Sequence, residues 1–467
     1  MATTVTPDER AVDDLRARLH GAVLQPGDEG YDESRTVWNG MIDKYPTMVV
    51  RCRGAADVIA ALEFAREAAL EFTVKGGGHS VAGHSTIDDG LLIDLSEMDD
   101  VRVDPDAKTA RVGPGATLAD LDHETQAFGL ATATGAVSVT GIAGLTLGGG
   151  KGHLSRAYGL TCDNLRSADV VTADGRLVHA SAEENPDLFW ALRGGGGNFG
   201  VVTSFEFDLH EVGPEVLGGP IFYPFEQARE VFAAARDVMA DAPDEVGCML
   251  GFMTLPPEEP FPAEYQGQPA AFLVPSYAGS VEAGETALAP LREIGEPILD
   301  GVAPLPYTGL QQAFDAGNPD GNRYYWRAEL LDDLTDEAID ALVAFLTDRP
   351  LPSPFSTITI ETLGGAVGRV PADATAYPHR GAMYDAGLWG NWTDPADDER
   401  VTQWVRDCHA SIAPHATGGV YVNYLDADEG DRVRAAYGEN FDRLAEIKAK
   451  WDPENRFSNT KNVEPAA

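Results

Sequence analysis

The stretch TVKGGGHSVAGHS (73–85) sets Gly76, Gly77 and Gly78 directly ahead of His79 and Ser80, with His84 five residues after His79. A glycine costs roughly 0.5–1 kcal/mol relative to alanine in regular structure, so such a run needs a ligand or a tight backbone crossing to justify it. Two further glycine zones follow, GAVSVTGIAGLTLGGGKG (135–152) and LRGGGGNFGVVTSFEFDL (192–209). Backbone N–H groups in such loops form concave anion sites. Three clusters in the first half of the chain therefore predict one large anionic ligand wrapped by several loops, and the pyrophosphate of a dinucleotide is the natural occupant. A Rossmann site needs a strand, G-x-G-x-x-G and a helix in that order. GGHSVAG lacks that register, and the chain has no G-x-x-x-x-G-K-[ST]. The dinucleotide must be held in another way.

The elements that would carry these loops are legible in part. DVIAALEFAREAALE (57–71) has the stripe of an amphipathic helix, with Asp57 at its N-terminus. FTV then predicts a strand that delivers the chain into the glycine loop. GLLIDLS (90–96) and TARVG (109–113) predict further strands, and a helix is expected near 117–128. Past residue 213 the texture changes: proline becomes frequent, glycine clusters thin out, and the strand pattern TITIETL (357–363) alternates with helices such as 394–414. The tail, 418–467, predicts a strand at GVYVNYLD and a helix near 437–450. No 20–50-residue repeat occurs.

Composition narrows the partners. Asp and Glu total 75 against 34 Lys and Arg, a formal charge of −41 spread along the 467 residues. Such a field repels nucleic acid and anionic membranes. Lysine is scarce, with seven in all, and distributed acid with little lysine predicts a halophile's protein, the bland alternative being an acidic mesophilic one. Cys52, Cys162, Cys248 and Cys408 are widely spaced with no C-x-x-C, which argues against a disulfide framework or a zinc site. The polar start and the lack of an 18-residue apolar run predict a cytoplasmic protein with no membrane span and no metal.

The motifs VKGGGHSVAGHS, GIAGLTLGGGKGHLSRAYGLTCDNLRSADVVTADG and FWALRGGGGNFGVVTSFEF, with YVNYLD and YGENFDRLAEIKAKWDPENRFSNTKNV at the C-terminal end, stand in one order along nearly the whole chain. Together they resemble the berberine-bridge-enzyme-like branch of the vanillyl-alcohol-oxidase flavoproteins. The resemblance implies an α+β fold with a two-part, PCMH-type FAD-binding domain. Residues 1–212 (core about 42–212) and a returning segment, 417–467, would form that domain, and 213–416 a substrate domain with an antiparallel sheet flanked by helices. It implies FAD joined covalently to His79, since a neutral imidazole nitrogen can attack an electrophilic flavin methide; a loop histidine bonded to phosphate is the alternative. Val137 stands where doubly tethered relatives carry a cysteine, so a single tether is expected.

By the same resemblance Lys75, Gly76, Gly77, Gly78, Ser80, Thr134, Gly135, Thr140, Gly141, Gly144, Leu145, Gly149, Gly152 and Asn164 should line pyrophosphate and flavin. Gly200 and Val202 should lie near the adenosine, Asn423 at the pyrimidine edge, and Tyr421 along the pocket. His84 either touches the flavin or supports the loop. The implied reaction moves a hydride from an alcohol or sugar C–H to the flavin, and Thr140, at the position that gates oxygen in plant relatives, implies that oxygen is reduced to hydrogen peroxide. A base must then sit within about 3 Å of the substrate hydroxyl. Tyr424 matches a tyrosine base of some relatives, and Asp385 and Glu361 are the other candidates, although each carboxylate could equally be one more solvated acid. Alternatives are an amine oxidase of nicotine-oxidase type, a dehydrogenase using another acceptor, and a flavin-binding protein without redox function.

Overall fold

Residues 7–467 are described by the computed structural model, and they divide among three main sheets. The first is built from Met48–Arg51, Leu91–Asp94 and Phe72–Lys75, all parallel, with Ala22–Leu24 antiparallel at the edge. Parallel strands are covered on both faces and read as continuous apolar runs. Met48, Val49, Val50, Leu91, Leu92 and Ile93 are accordingly all buried. The helix Ala55–Glu67 makes the crossover; it starts two residues before the expected 57–71 and stops before the left-handed Ala69. Asp57 lies inside it and accepts bonds from the backbone of His20, Gly21 and Arg53.

The second sheet is antiparallel, in the order Val101–Asp104, Thr109–Val112, Val201–Asp208, Leu165–Val171, Leu177–Ser181. Helix Leu118–Gln126 is closed by a Thr117/Asp120 capping box. The third sheet has nine strands, all paired antiparallel, between Glu215 and Trp392. Helices Ala228–Asp241, Asp336–Asp348 and Asp398–Ile412 pack their apolar stripes on one of its faces. Strand Thr357–Thr362 shows how the other face is made. Side chains alternate along a strand, so Ile358 and Ile360 join the helix-covered core while Thr357, Thr359 and Glu361 face a cavity.

The chain then returns to the first half, where helix Phe441–Trp451 packs Leu444, Ala445 and Trp451 into the core that holds Leu188 and Trp190. The strand expected at GVYVNYLD is absent. Val422–Tyr424 is a turn of 3-10 helix, and in that geometry residues three apart eclipse one another. Tyr421 and Tyr424 thus share one side, which an extended strand would forbid. The four cysteines are buried and unpaired. Among the described residues no helix is long and apolar enough to cross a membrane.

Candidate active site

A cavity of about 370 Å³ runs between the glycine loops and the open face of the nine-stranded sheet. Gly76, Gly77, Gly78, His79, Ser80 and His84 form one wall, and Gly135, Val137, Thr140, Gly141, Gly144 and Leu145 the next. Gly200 and Val202 lie on the wall as well, and Tyr421, Asn423, Tyr424 and Glu361 close the far end. The glycine run has a reason beyond any ligand. A Cβ on Gly76 would stand 2.7 Å from the Pro114 carbonyl oxygen, and one on Gly77 would stand 2.4 Å from Gly141 Cα. Two backbones cross there, so the tight crossing that such a run can serve is present, and the same three glycines also line the cavity.

Five of the expected cofactor residues are not on this wall. Lys75 is held off the cavity wall, donating to the Ser34 carbonyl with Asp94 3.7 Å off. Thr134 turns to helix Tyr307–Gln311, where its hydroxyl accepts from Gln311 Nε2 at 2.9 Å. Gly149, at φ +129°, ends helix Ile142–Gly148 against Tyr377 and Tyr421. Gly152 crosses the backbone at Thr134, whose oxygen a Cβ would meet at 2.4 Å. Asn164 staples a loop, donating to Tyr158 O at 3.0 Å and Leu160 O at 2.8 Å.

His79 stacks on Trp38 at 4.2 Å and 18°, and Trp38 stacks in turn on Tyr324 at 3.6 Å. Its Nε2 is shielded from water and has no hydrogen-bond partner. Burial pushes the ring's pKa down to about 4, so at neutral pH the imidazole carries no charge. Burial likewise lowers His84, to about 3, and the nearby Lys461 ammonium adds to that.

Charge collects at the other end. Glu361 and Asp385 are directly opposite one another on paired strands, an arrangement that like charges disfavour. Lys151 resolves it: its Nζ lies 2.6 Å from Glu361 Oε2 and 3.3 Å from Asp385 Oδ2, with both partners nearly water-free. The ammonium also donates to the Tyr424 hydroxyl at 3.0 Å, and that hydroxyl donates to Glu361 Oε1 at 3.1 Å. Burial opposes the Lys151 charge, but Asp385 and Glu361 outweigh it and the pKa ends raised. Asp385 goes the other way: burial lifts it to about 6 although Lys151 pulls it down. It reaches the cavity only through Lys151, so the expectation that it touches substrate is corrected, and it is a positioning residue. Tyr424 is pushed well above its usual 10, by burial first and then by Glu361 and Asp385. A standing phenolate is therefore disfavoured, contrary to what a simple tyrosine base requires.

The chain is similar to known proteins along its length. Residues 46–181 match the model of an FAD binding domain, and residues 420–464 the model described as berberine and berberine like. An FAD-linked oxidoreductase of Dictyostelium discoideum is 32% identical, over 97% of this chain and 97% of its own. This chain belongs to the berberine-bridge-like FAD-linked oxidoreductases. Another relative, the (R)-6-hydroxynicotine oxidase of Paenarthrobacter nicotinovorans, is 31% identical over 96% of this chain and 97% of its own. Among solved structures, a glucooligosaccharide oxidase from Acremonium strictum superposes with a TM-score of 0.86 at 26% identity, covering 98% of this chain and 100% of that one. Its FAD is described as 6-S-cysteinyl, 8α-N1-histidyl.

FAD is the cofactor of this family, and the cavity suits it. A pyrophosphate brings negative charge into an already acidic chain, and Lys461, absent from the expected set, lines the wall as a cation, its Nζ donating to Leu425 O. Burial lowers its pKa to about 8, leaving it mostly charged at neutral pH. Further features of the site went unread in the sequence. Lys151 stands after GGG as one more residue of a glycine zone, and only the turn made by Gly149 and Gly150, both at positive φ, aims it at the carboxylates. Trp326 and Trp389 form a cross-strand pair, ring centroids 4.8 Å apart, that packs against Tyr424. Gly387 makes room for them, since a Cβ there would strike the Trp389 ring.

Proposed function

We propose that this oxidoreductase is an oxidase that removes a hydride from the carbinol carbon of an alcohol or sugar, with FAD tethered through His79 alone and oxygen as the final acceptor. One observation carries the reading: the Tyr424 hydroxyl stands on the cavity wall between Lys151 and Glu361. Bound FAD supplies the two-electron acceptor for the hydride. The chain's task is the proton. Tyr424 accepts it from the substrate hydroxyl while passing its own to Glu361 Oε1, so no free phenolate need form, and Lys151 holds both oxygens in place. The Trp326–Trp389 wall offers an aromatic face for a sugar ring.

Support for a single tether comes from the neutral His79 ring and from Val137, which lines the cavity without a thiol. Thr140 on the same wall is no bulkier than valine, which leaves oxygen a path. A second reading, amine oxidation, is favoured by the two carboxylates set against one lysine beside aromatic rings, which attract a cationic substrate. Anaerobic bleaching of the flavin by a panel of oligosaccharides, aromatic alcohols and amines separates the two, and peroxide assay on readmitting air tests the acceptor. Bleaching by amines alone would overturn the alcohol reading. Slow reoxidation with fast turnover on an artificial acceptor would make the protein a dehydrogenase.

A further inference from the structure

Beside Glu361 lies a second, small cavity of about 10 Å³. Glu361 borders both. A space of roughly 10–15 Å³ holds one water if it offers two to four polar partners. Most polar groups around it are already satisfied. Arg156 gives three of its five N–H hydrogens to the carbonyls of Val246 at 2.8 Å, Leu363 at 2.6 Å and Ala242 at 3.3 Å. The Thr362 hydroxyl is engaged with the Cys248 backbone on both sides, and the Cys248 thiol, raised to about 12 by burial, points at the Met249 carbonyl. His153 is the exception. It is buried behind Phe314, ring centroids 6.1 Å apart, and its Nε2 is sealed from solvent with no hydrogen-bond partner. A buried ring nitrogen left without a partner is unfavourable.

We propose that this cavity is a site for one internal water that joins His153 Nε2 to the Glu361 carboxylate, and that His153 is thereby a positioning residue for the proton acceptor. The water satisfies the otherwise orphaned nitrogen and takes one lone pair of Glu361. The carboxylate is then held with Oε2 on Lys151 and Oε1 on Tyr424. The other titratable groups around Glu361 are Lys151, Asp385 and Tyr424, with Arg156 and Cys248 on the wall of the small cavity. This inference rests on the proton route through Tyr424 and Glu361, so its test has one arm that needs no substrate.

In that arm, a high-resolution crystal structure of the flavin-loaded protein shows a water within about 3 Å of both His153 Nε2 and a Glu361 oxygen. A dry cavity overturns the proposal whatever the enzyme oxidises. In the second arm, His153→Phe keeps the ring and removes the nitrogen, while His153→Gln keeps a polar end. With whichever panel compound reduces the wild-type flavin, His153→Phe lowers the anaerobic reduction rate about tenfold and moves its pH profile, with substrate affinity unchanged, and His153→Gln restores most of the rate. An unchanged rate and profile in His153→Phe overturns the positioning role even if the water is present. Should His153→Phe fail to retain flavin, the wild-type water and the rate of His153→Gln decide.

Discussion

At the scale of single residues, three outcomes follow from charge and hydrogen bonding. The neutral His79 ring is the proposed tether. Protein precipitated in acid should therefore stay yellow and carry the mass of one FAD, whereas His79→Ala should release its flavin. Colourless wild-type precipitate would remove the tether. Tyr424→Phe keeps the ring packed against Trp389 and Tyr421 but deletes the hydroxyl between Lys151 and Glu361. Flavin reduction in anaerobic stopped flow should slow by about 10²–10⁴-fold while flavin content holds; a loss below tenfold would move the proton to Glu361 directly. Asp385 sets the pH dependence. Its pKa, lifted to about 6 by burial, means that it gains a proton as pH falls through 6 and the Lys151 cluster loses one negative charge. Reduction should slow on that acid side, and the limb should vanish in Asp385→Asn. A limb that persists in the variant assigns it to another group.

At the scale of elements, the seam between the first half of the chain and the nine-stranded sheet carries its own titrating latch. Helix Leu118–Gln126 buries Asp122, and Gln311 from helix Tyr307–Gln311 donates to Asp122 Oδ2 at 3.2 Å as well as to Thr134. Burial lifts Asp122 to about 7, with Gln311 pulling the other way. A carboxyl with a raised folded pKa favours folding while protonated, so its contribution is complete below its unfolded value near 4 and fades as pH rises through about 7. Asp122→Asn should therefore raise the melting temperature relative to wild type at pH 8 and give no gain at pH 4. Equal gains at both pH values would mean that Asp122 is not the titrating group.

For the whole molecule, −41 charges make self-repulsion the leading electrostatic effect. Many exposed carboxylates pair with arginine, as Arg229 does with Asp340 at 2.6 Å and Arg236 with Asp336 at 2.8 Å. Exposed pairs are worth about 0–1 kcal/mol each and are screened by salt. The unpaired excess is screened too, as the Debye length shrinks from about 30 Å at 0.01 M to 3 Å at 1 M. Because acids outnumber bases, relief of repulsion should win, and the melting temperature should climb between dilute buffer and molar KCl. A flat or falling curve would remove the halophilic reading.

The sequence by itself determined the family and the cofactor through the resemblance its ordered motifs carry, and the loops that meet at the cavity because glycine runs state local backbone demands that survive without the rest of the chain. His79, Thr140 and Gly141 stand in or beside those runs, whereas Asn423 was legible only through the resemblance. Pairing over long separations was not. Glu361 and Asp385 become a like-charged pair only through the register of two strands, and Lys151, more than two hundred residues earlier, reaches them only once Gly149 and Gly150 turn the chain. Lys75 and Asn164 carry suggestive side chains in suggestive motifs, yet the Ser34 carbonyl with Asp94 holds the one elsewhere and a loop staple the other. The tertiary structure alone decided where the site's charges meet, since which groups share a water-free pocket depends on register, turn geometry and burial rather than on residue type.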